Sequence, residues 1–63
     1  MSRYSCYLFR DEDDVTDVKE ITADIDVKAV FLARAAAAQA GYSHFELRQY
    51  HRVVRRERCC AAV

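Results

Sequence analysis

Apolar and polar residues change their spacing several times along this chain, and each change marks an element. Residues 3–10 (RYSCYLFR) alternate as a strand, with Tyr4, Cys6 and Leu8 on one face and Ser5, Tyr7 and Phe9 on the other. Both faces carry apolar groups, the pattern of a central strand covered on two sides. The four acids at 11–14 repel one another in any regular element and predict a turn. Residues 15–22 (VTDVKEIT) form a second strand, joined closely enough to make an antiparallel hairpin. Val18 and Ile21 have opposite parity there, so a bulge or an early strand end is expected.

Residues 24–41 carry the plainest helix signature. Asp24 is the expected N-cap, Asp26 adds negative charge to the first turn, and Gly41 stands where a left-handed residue closes a helix. Seven alanines between positions 29 and 40 favour helix, and no proline interrupts it. At about 100° per residue, Ile25, Ala29, Leu32, Ala33, Ala36 and Ala40 make the expected core stripe. Residues 43–49 (SHFELRQ) then alternate as a third strand, with Phe45 and Leu47 inward and His44, Glu46 and Arg48 outward. Residues 52–56 extend it or fold back as a short fourth piece, and 57–63 lack periodicity and are expected to be disordered. A right-handed crossover puts the first strand in the middle. The expectation is one α+β domain over residues 1–56, β-β-α-β, with a three-stranded antiparallel sheet of order 2-1-3 and the helix on one face.

That architecture leaves apolar surface without cover. Val27, Val30, Phe31 and Ala38 lie behind or beside the core stripe with Arg34 among them, where the helix of a monomer should be polar. They are the first candidate interface, for a second copy or another protein. The bare sheet face, with Tyr7, Phe9 and Tyr50, is the alternative. Covering Phe31 alone contributes about 2 kcal/mol, a sizeable share for so small a domain.

Composition strengthens the case for a partner. The 63 residues are 52% hydrophobic, but ten are alanine, which buries little area. A chain this short is marginal without added burial or a staple. The three cysteines do not supply a staple: Cys59 and Cys60 are adjacent, Cys6 is distant, and the count is odd. The polar start MSRYS is not a secretory signal, so a reducing cytoplasm is expected. Formal charge is zero, yet residues 1–26 hold eight acids against Arg3, Arg10 and Lys19, while 27–63 hold seven bases against Glu46 and Glu57. Such polarity favours head-to-tail association or an anionic partner. The longest apolar run is broken by Arg34 and too short to span a bilayer.

Candidate chemistry is sparse. The acidic turn lacks the spaced ligands and glycine of a calcium loop. His44, His51, Cys59 and Cys60 match no zinc spacing. A cysteine–histidine nucleophile would need a third orienting group and a pocket. No catalytic residue, cofactor or metal is therefore expected. Arg48, Arg52, Arg55 and Arg56, with Tyr50 and His51 between them, are the candidate contact for nucleic acid phosphates. The terminal Cys60-Ala61-Ala62-Val63 matches a prenylation pattern in outline only, and no membrane role is expected.

Several short motifs also resemble a family of short uncharacterised bacterial proteins, a domain of unknown function. They are the tyrosine-rich Tyr4-Ser5-Cys6-Tyr7, the acidic turn, the Ala33-Arg34 step, and Phe45-Glu46-Leu47 followed by a turn and Arg52-Val53-Val54. Arg48 stands where that family carries an aromatic, and Tyr50-His51 where it carries a glycine-containing turn. The resemblance spans residues 3–54. It implies the β-β-α-β fold, a bacterial cytoplasm and no assigned activity.

Overall fold

The structure, a computed structural model, describes residues 1–10 and 14–58. The elements are β1 (Ser2–Phe9), β2 (Val15–Ala23), α1 (Asp26–Ala40), β3 (His44–Gln49) and β4 (Arg52–Arg58). They form one antiparallel sheet of order β2-β1-β3-β4 with α1 on one face. The expected three-stranded β-β-α-β sheet is thus corrected to a four-stranded β-β-α-β-β one. The order of the first three strands and the central place of β1 are as expected.

The fourth strand hides in the sequence because its turn lacks glycine. Gln49 pairs with Arg52, leaving Tyr50-His51 as a two-residue loop. Tyr50 takes φ +57, a left-handed conformation that glycine adopts without strain. Arg52 Nη2 donates to Gln49 Oε1 at 2.6 Å across the loop. β4 also runs through Arg58, into the stretch expected to be disordered. Residues 59–63, with the cysteine pair and the prenylation pattern, and residues 11–13 of the acidic turn lie outside the described residues.

Bulk in the core comes from the sheet. Tyr4, Cys6 and Leu8 of β1, Ile21 of β2, and Phe45 and Leu47 of β3 face the helix and are buried. The helix answers with Ala29, Ala33 and Ala37, all fully buried. This corrects the expected stripe, which turns by roughly 50°, half the angle between successive residues. Ile25 and Leu32 are exposed instead of buried, and Ala37 takes their place. The reason is steric: three methyl groups at i, i+4 and i+8 let the helix settle onto a sheet already filled by Phe45, Leu8 and Leu47. Turning Ile25 and Leu32 inward would hold it off.

The helix ends are unequal. Its N-cap is Ile25, with extended backbone and no side-chain cap, so Asp24 does not play that part. At the other end Gly41 takes φ 79. Its N–H reaches Ala38 O at 3.2 Å, and Tyr42 N–H reaches Ala37 O at 3.0 Å, the paired bonds of a Schellman motif. Ser43 then donates through both N–H and Oγ to Phe9 O, at 2.8 and 3.0 Å, tying the helix exit to β1.

Two bulges shape the sheet edges. Thr16 is the extra residue opposite the Leu8–Phe9 step, and Val54 the extra residue opposite Leu47–Arg48. The second lets Val54 pack against the core. Val18 and Ile21 sit in regular pairing on opposite faces, so no bulge separates them.

Two variants test this packing by denaturant titration. Ala33→Leu overfills the helix–sheet contact and is expected to lose about 1–3 kcal/mol; an unchanged midpoint would contradict the close approach. Tyr50→Gly relieves the left-handed strain at a side chain 90% exposed, and a gain of about 1 kcal/mol is expected. A loss there would show that Tyr50 packs on something.

Candidate functional site

α1 lies over the middle of the sheet, so one flank of the helix and the outer strand β4 diverge and leave a cleft. Val27, Val30 and Phe31 line it from the helix, Asp26 and Arg34 stand at its helix rim, and Arg55 closes it from β4. Its volume is about 400 Å³. Four of the five residues expected at the helix interface therefore meet in one place. The fifth, Ala38, is exposed further along the helix and does not line the cleft. Val27 is 75% exposed and Phe31 61%, unusual for large apolar side chains.

Ion pairs brace both ends of the cleft. At one end Tyr4 OH donates to Asp26 Oδ1 at 2.7 Å, and Arg52 Nη1 donates to Asp26 Oδ2 at 3.1 Å. At the other, Arg34 grips Glu57 with two bonds of 2.9 and 3.0 Å, while Arg55 reaches the same carboxylate at 3.3 Å. Such two-pronged guanidinium–carboxylate pairs fix geometry as well as charge. Arg52 and Tyr4, as donors to its carboxylate, hold Asp26 below the ordinary aspartate range. The same bond to Asp26 raises the Tyr4 hydroxyl above its usual value. Arg34, and less strongly Arg55, likewise lower Glu57.

The alternative interface does not form a patch. Phe9 is buried, its ring stacked on His44 at 4.6 Å with 8° between planes. Ser43 Oγ lies 3.0 Å from Phe9 O and 2.8 Å from His44 Nδ1, linking the ring to the β1 backbone. His44 is thus not the exposed strand residue expected. Tyr7 is half-buried beneath the Arg48 guanidinium, 5.2 Å from its ring centre. Tyr50 projects from the β3–β4 turn, away from both.

Nor do the four arginines expected at nucleic acid share a surface. Arg48 and Arg56 lie on the sheet face away from the helix, where both pair with the buried Glu46. Arg52 and Arg55 lie on the helix face, paired with Asp26 and Glu57. Each already faces a carboxylate that would compete with a phosphate.

Among the described residues, no three His, Cys, Asp or Glu side chains come together as metal ligands would, and no helix is long and apolar enough to cross a membrane. His44 and His51 stand at opposite ends of β3, and Cys59 and Cys60 are outside the described residues. Sequence reading missed Tyr4, Asp26, Arg55 and Glu57 as parts of the cleft. The contacts that tie Tyr4 and Arg52 to Asp26, and Arg34 to Glu57, join positions more than 20 residues apart, and no local spacing announces such pairs.

The brace at Asp26 makes a pH prediction. Its folded-state pKa is depressed, so its stabilisation is fully present above the ordinary value of 3.8 and is lost as pH falls through the folded value. Asp26→Asn should be less stable than the wild type at neutral pH, and the gap should close below that ordinary value. Denaturation midpoints measured across pH check this; a gap that stays constant into acid would contradict it. No family model, curated protein or solved structure matches the chain.

Proposed function

We propose that the chain is a small self-associating interaction or structural domain of the cytoplasm, without catalytic activity, and that it docks through the cleft between α1 and β4. The observation that carries this reading is the exposure of Val27 and Phe31 beside Val30 in a concave site. An isolated helix-on-sheet domain has no reason to place these residues in water, whereas an apolar centre inside a charged rim is the usual anatomy of a contact surface. Marginal size supports it too, because a domain of this length gains from any area buried against a neighbour. A nucleic acid partner is less favoured, since the arginines divide between two faces and are neutralised within the chain.

The reading is tested by light scattering after size exclusion over a range of concentrations. The wild type is expected to exceed its 7.3 kDa chain mass as concentration rises, and Phe31→Asp is expected to stay at that mass. Covering Phe31 contributes about 2 kcal/mol, so at least a tenfold weakening follows. A wild type of single-chain mass throughout, or a Phe31→Asp variant that associates normally, contradicts the reading.

A further inference from the structure

β4 walls the cleft; the strand at the opposite edge of the sheet is β2. Among the described residues, no strand pairs with its outer side. Backbone groups alternate in direction along a strand, so the bonding of β1 fixes which groups of β2 turn outward. Phe9 O accepts from Ser43 N–H at 2.8 Å, on the β3 side of β1. The N–H and C=O of Tyr7, two residues earlier, therefore also face β3, while those of Cys6 and Leu8 face Lys19 and Asp17 of β2. Val18, opposite Tyr7, is left with both its backbone groups pointing away from the sheet. A side-chain contact agrees: Val18 N–H donates to Asp17 Oδ1 at 2.9 Å, its own neighbour's carboxylate standing where a strand would be.

The residues around Val18 are complementary to themselves. Asp17 precedes it and Lys19 follows it, both exposed and both on the helix face of the sheet. Among the described residues neither has an ion-pair partner. Two copies of β2 laid antiparallel with Val18 opposite Val18 place each Asp17 opposite the other copy's Lys19, two attractive cross-strand pairs. The outward N–H and C=O of one Val18 then meet the C=O and N–H of the other, as in any hydrogen-bonded antiparallel pair. Other registers do worse. Asp17, Lys19 or Glu20 at the centre would set that charge against its own copy. On the far face Val18 is 51% exposed and adjoins Tyr7, so the pairing joins Tyr7 and Val18 of both copies into one apolar row.

We infer that the β2 edge is a second self-association surface, at which two copies pair β2 with β2 about a two-fold axis through Val18. The axis stands perpendicular to the sheet, so both helices lie on one face of a continuous sheet with four strands from each copy. Their axes are four strand spacings apart, about 19 Å, so the helices do not touch and both α1–β4 clefts stay open. The inference goes beyond the cleft reading and does not depend on it. The contact is the weaker of the two. The bulge at Thr16 keeps its ladder short, and Asp14 and Glu20 add like charge to both edges. It forms at concentrations above those of the cleft contact, and a chain with both contacts assembles past the dimer.

Disulfide trapping tests the pairing in the full chain. Phe31→Asp blocks the cleft, and Cys59→Ser with Cys60→Ser removes the two tail thiols. In that background Val18→Cys brings two Cα atoms about 5.5 Å apart across the axis, within disulfide range. Glu20→Cys leaves its two thiols four residues apart along the strands, about 13 Å. Mild oxidation should convert Val18→Cys to a covalent dimer at least about tenfold faster than Glu20→Cys. Adding Lys19→Asp or Asp17→Lys to Val18→Cys should each slow trapping about tenfold, and an equal mixture of the two should recover it as a heterodimer. All these β2 positions are exposed, so unchanged far-UV circular dichroism and denaturation midpoints are expected for the variants. If Glu20→Cys is trapped as fast as Val18→Cys, or the mixture of charge variants does not recover, the edge inference falls and the cleft reading stands. If Val18→Cys behaves as expected while the wild type shows no association through the cleft, the cleft reading falls alone.

Discussion

The contact of three alanine methyl groups with the filled face of the sheet governs this molecule. Ala29, Ala33 and Ala37 bury completely against strands that already supply Tyr4, Cys6, Leu8, Phe45 and Leu47. Large side chains on one layer and small ones on the other bring the layers close and leave few voids. The cost is breadth. A helix whose buried stripe is all alanine covers little of a four-stranded sheet, and its larger side chains, Ile25, Val27, Phe31 and Leu32, are left at the flanks.

The rest of the structure compensates for that narrow contact. The helix is held at its N-terminal turn by Tyr4, Asp26 and Arg52, at mid-length by Arg34 and Glu57, and at its C-terminus by the Schellman bonds and Ser43. Exposed ion pairs of this kind contribute little each, so their role is chiefly to set the helix's position over the sheet. The far face is closed differently. Phe9 stacks on His44, and Arg48 lies over Tyr7 while pairing with Glu46. What the chain cannot cover alone lies on the helix flanks and along the two outer strands, where Val15, Val18 and Val53 on the far face stay about half exposed.

Much of the fold was legible in the residues, and the failures have identifiable physical causes. Period-two alternation found β1 and β3, β2 was read as a strand despite its imperfect alternation, and Gly41 marked the helix end at which it indeed takes φ 79. The fourth strand escaped because Tyr50 adopts a glycine-like φ and because β4 is arginine-rich, as an edge strand is free to be. The core stripe was misplaced because hydrophobicity alone ranks Leu32 above Ala37. Closeness of approach ranks them the other way, and that quantity belongs to the sheet. In the cleft, Val27, Val30, Phe31 and Arg34 could be named from the helix alone. Its far wall could not, since Arg55 and Glu57 reach the site only through a hairpin with no local signal. The arginine run looked continuous in sequence, yet strand alternation and the Val54 bulge send its members to opposite faces.

The central claim is that this narrow packing leaves an apolar cleft between α1 and β4, on which the proposed self-association rests. Amide hydrogen exchange followed as a function of protein concentration tests it most directly. The account predicts that amides of β4 (Arg52–Arg58), the strand that walls the cleft, gain protection as concentration rises, while those of the interior strand β1 (Ser2–Phe9) do not change. Protection in β4 that does not change with concentration would contradict it.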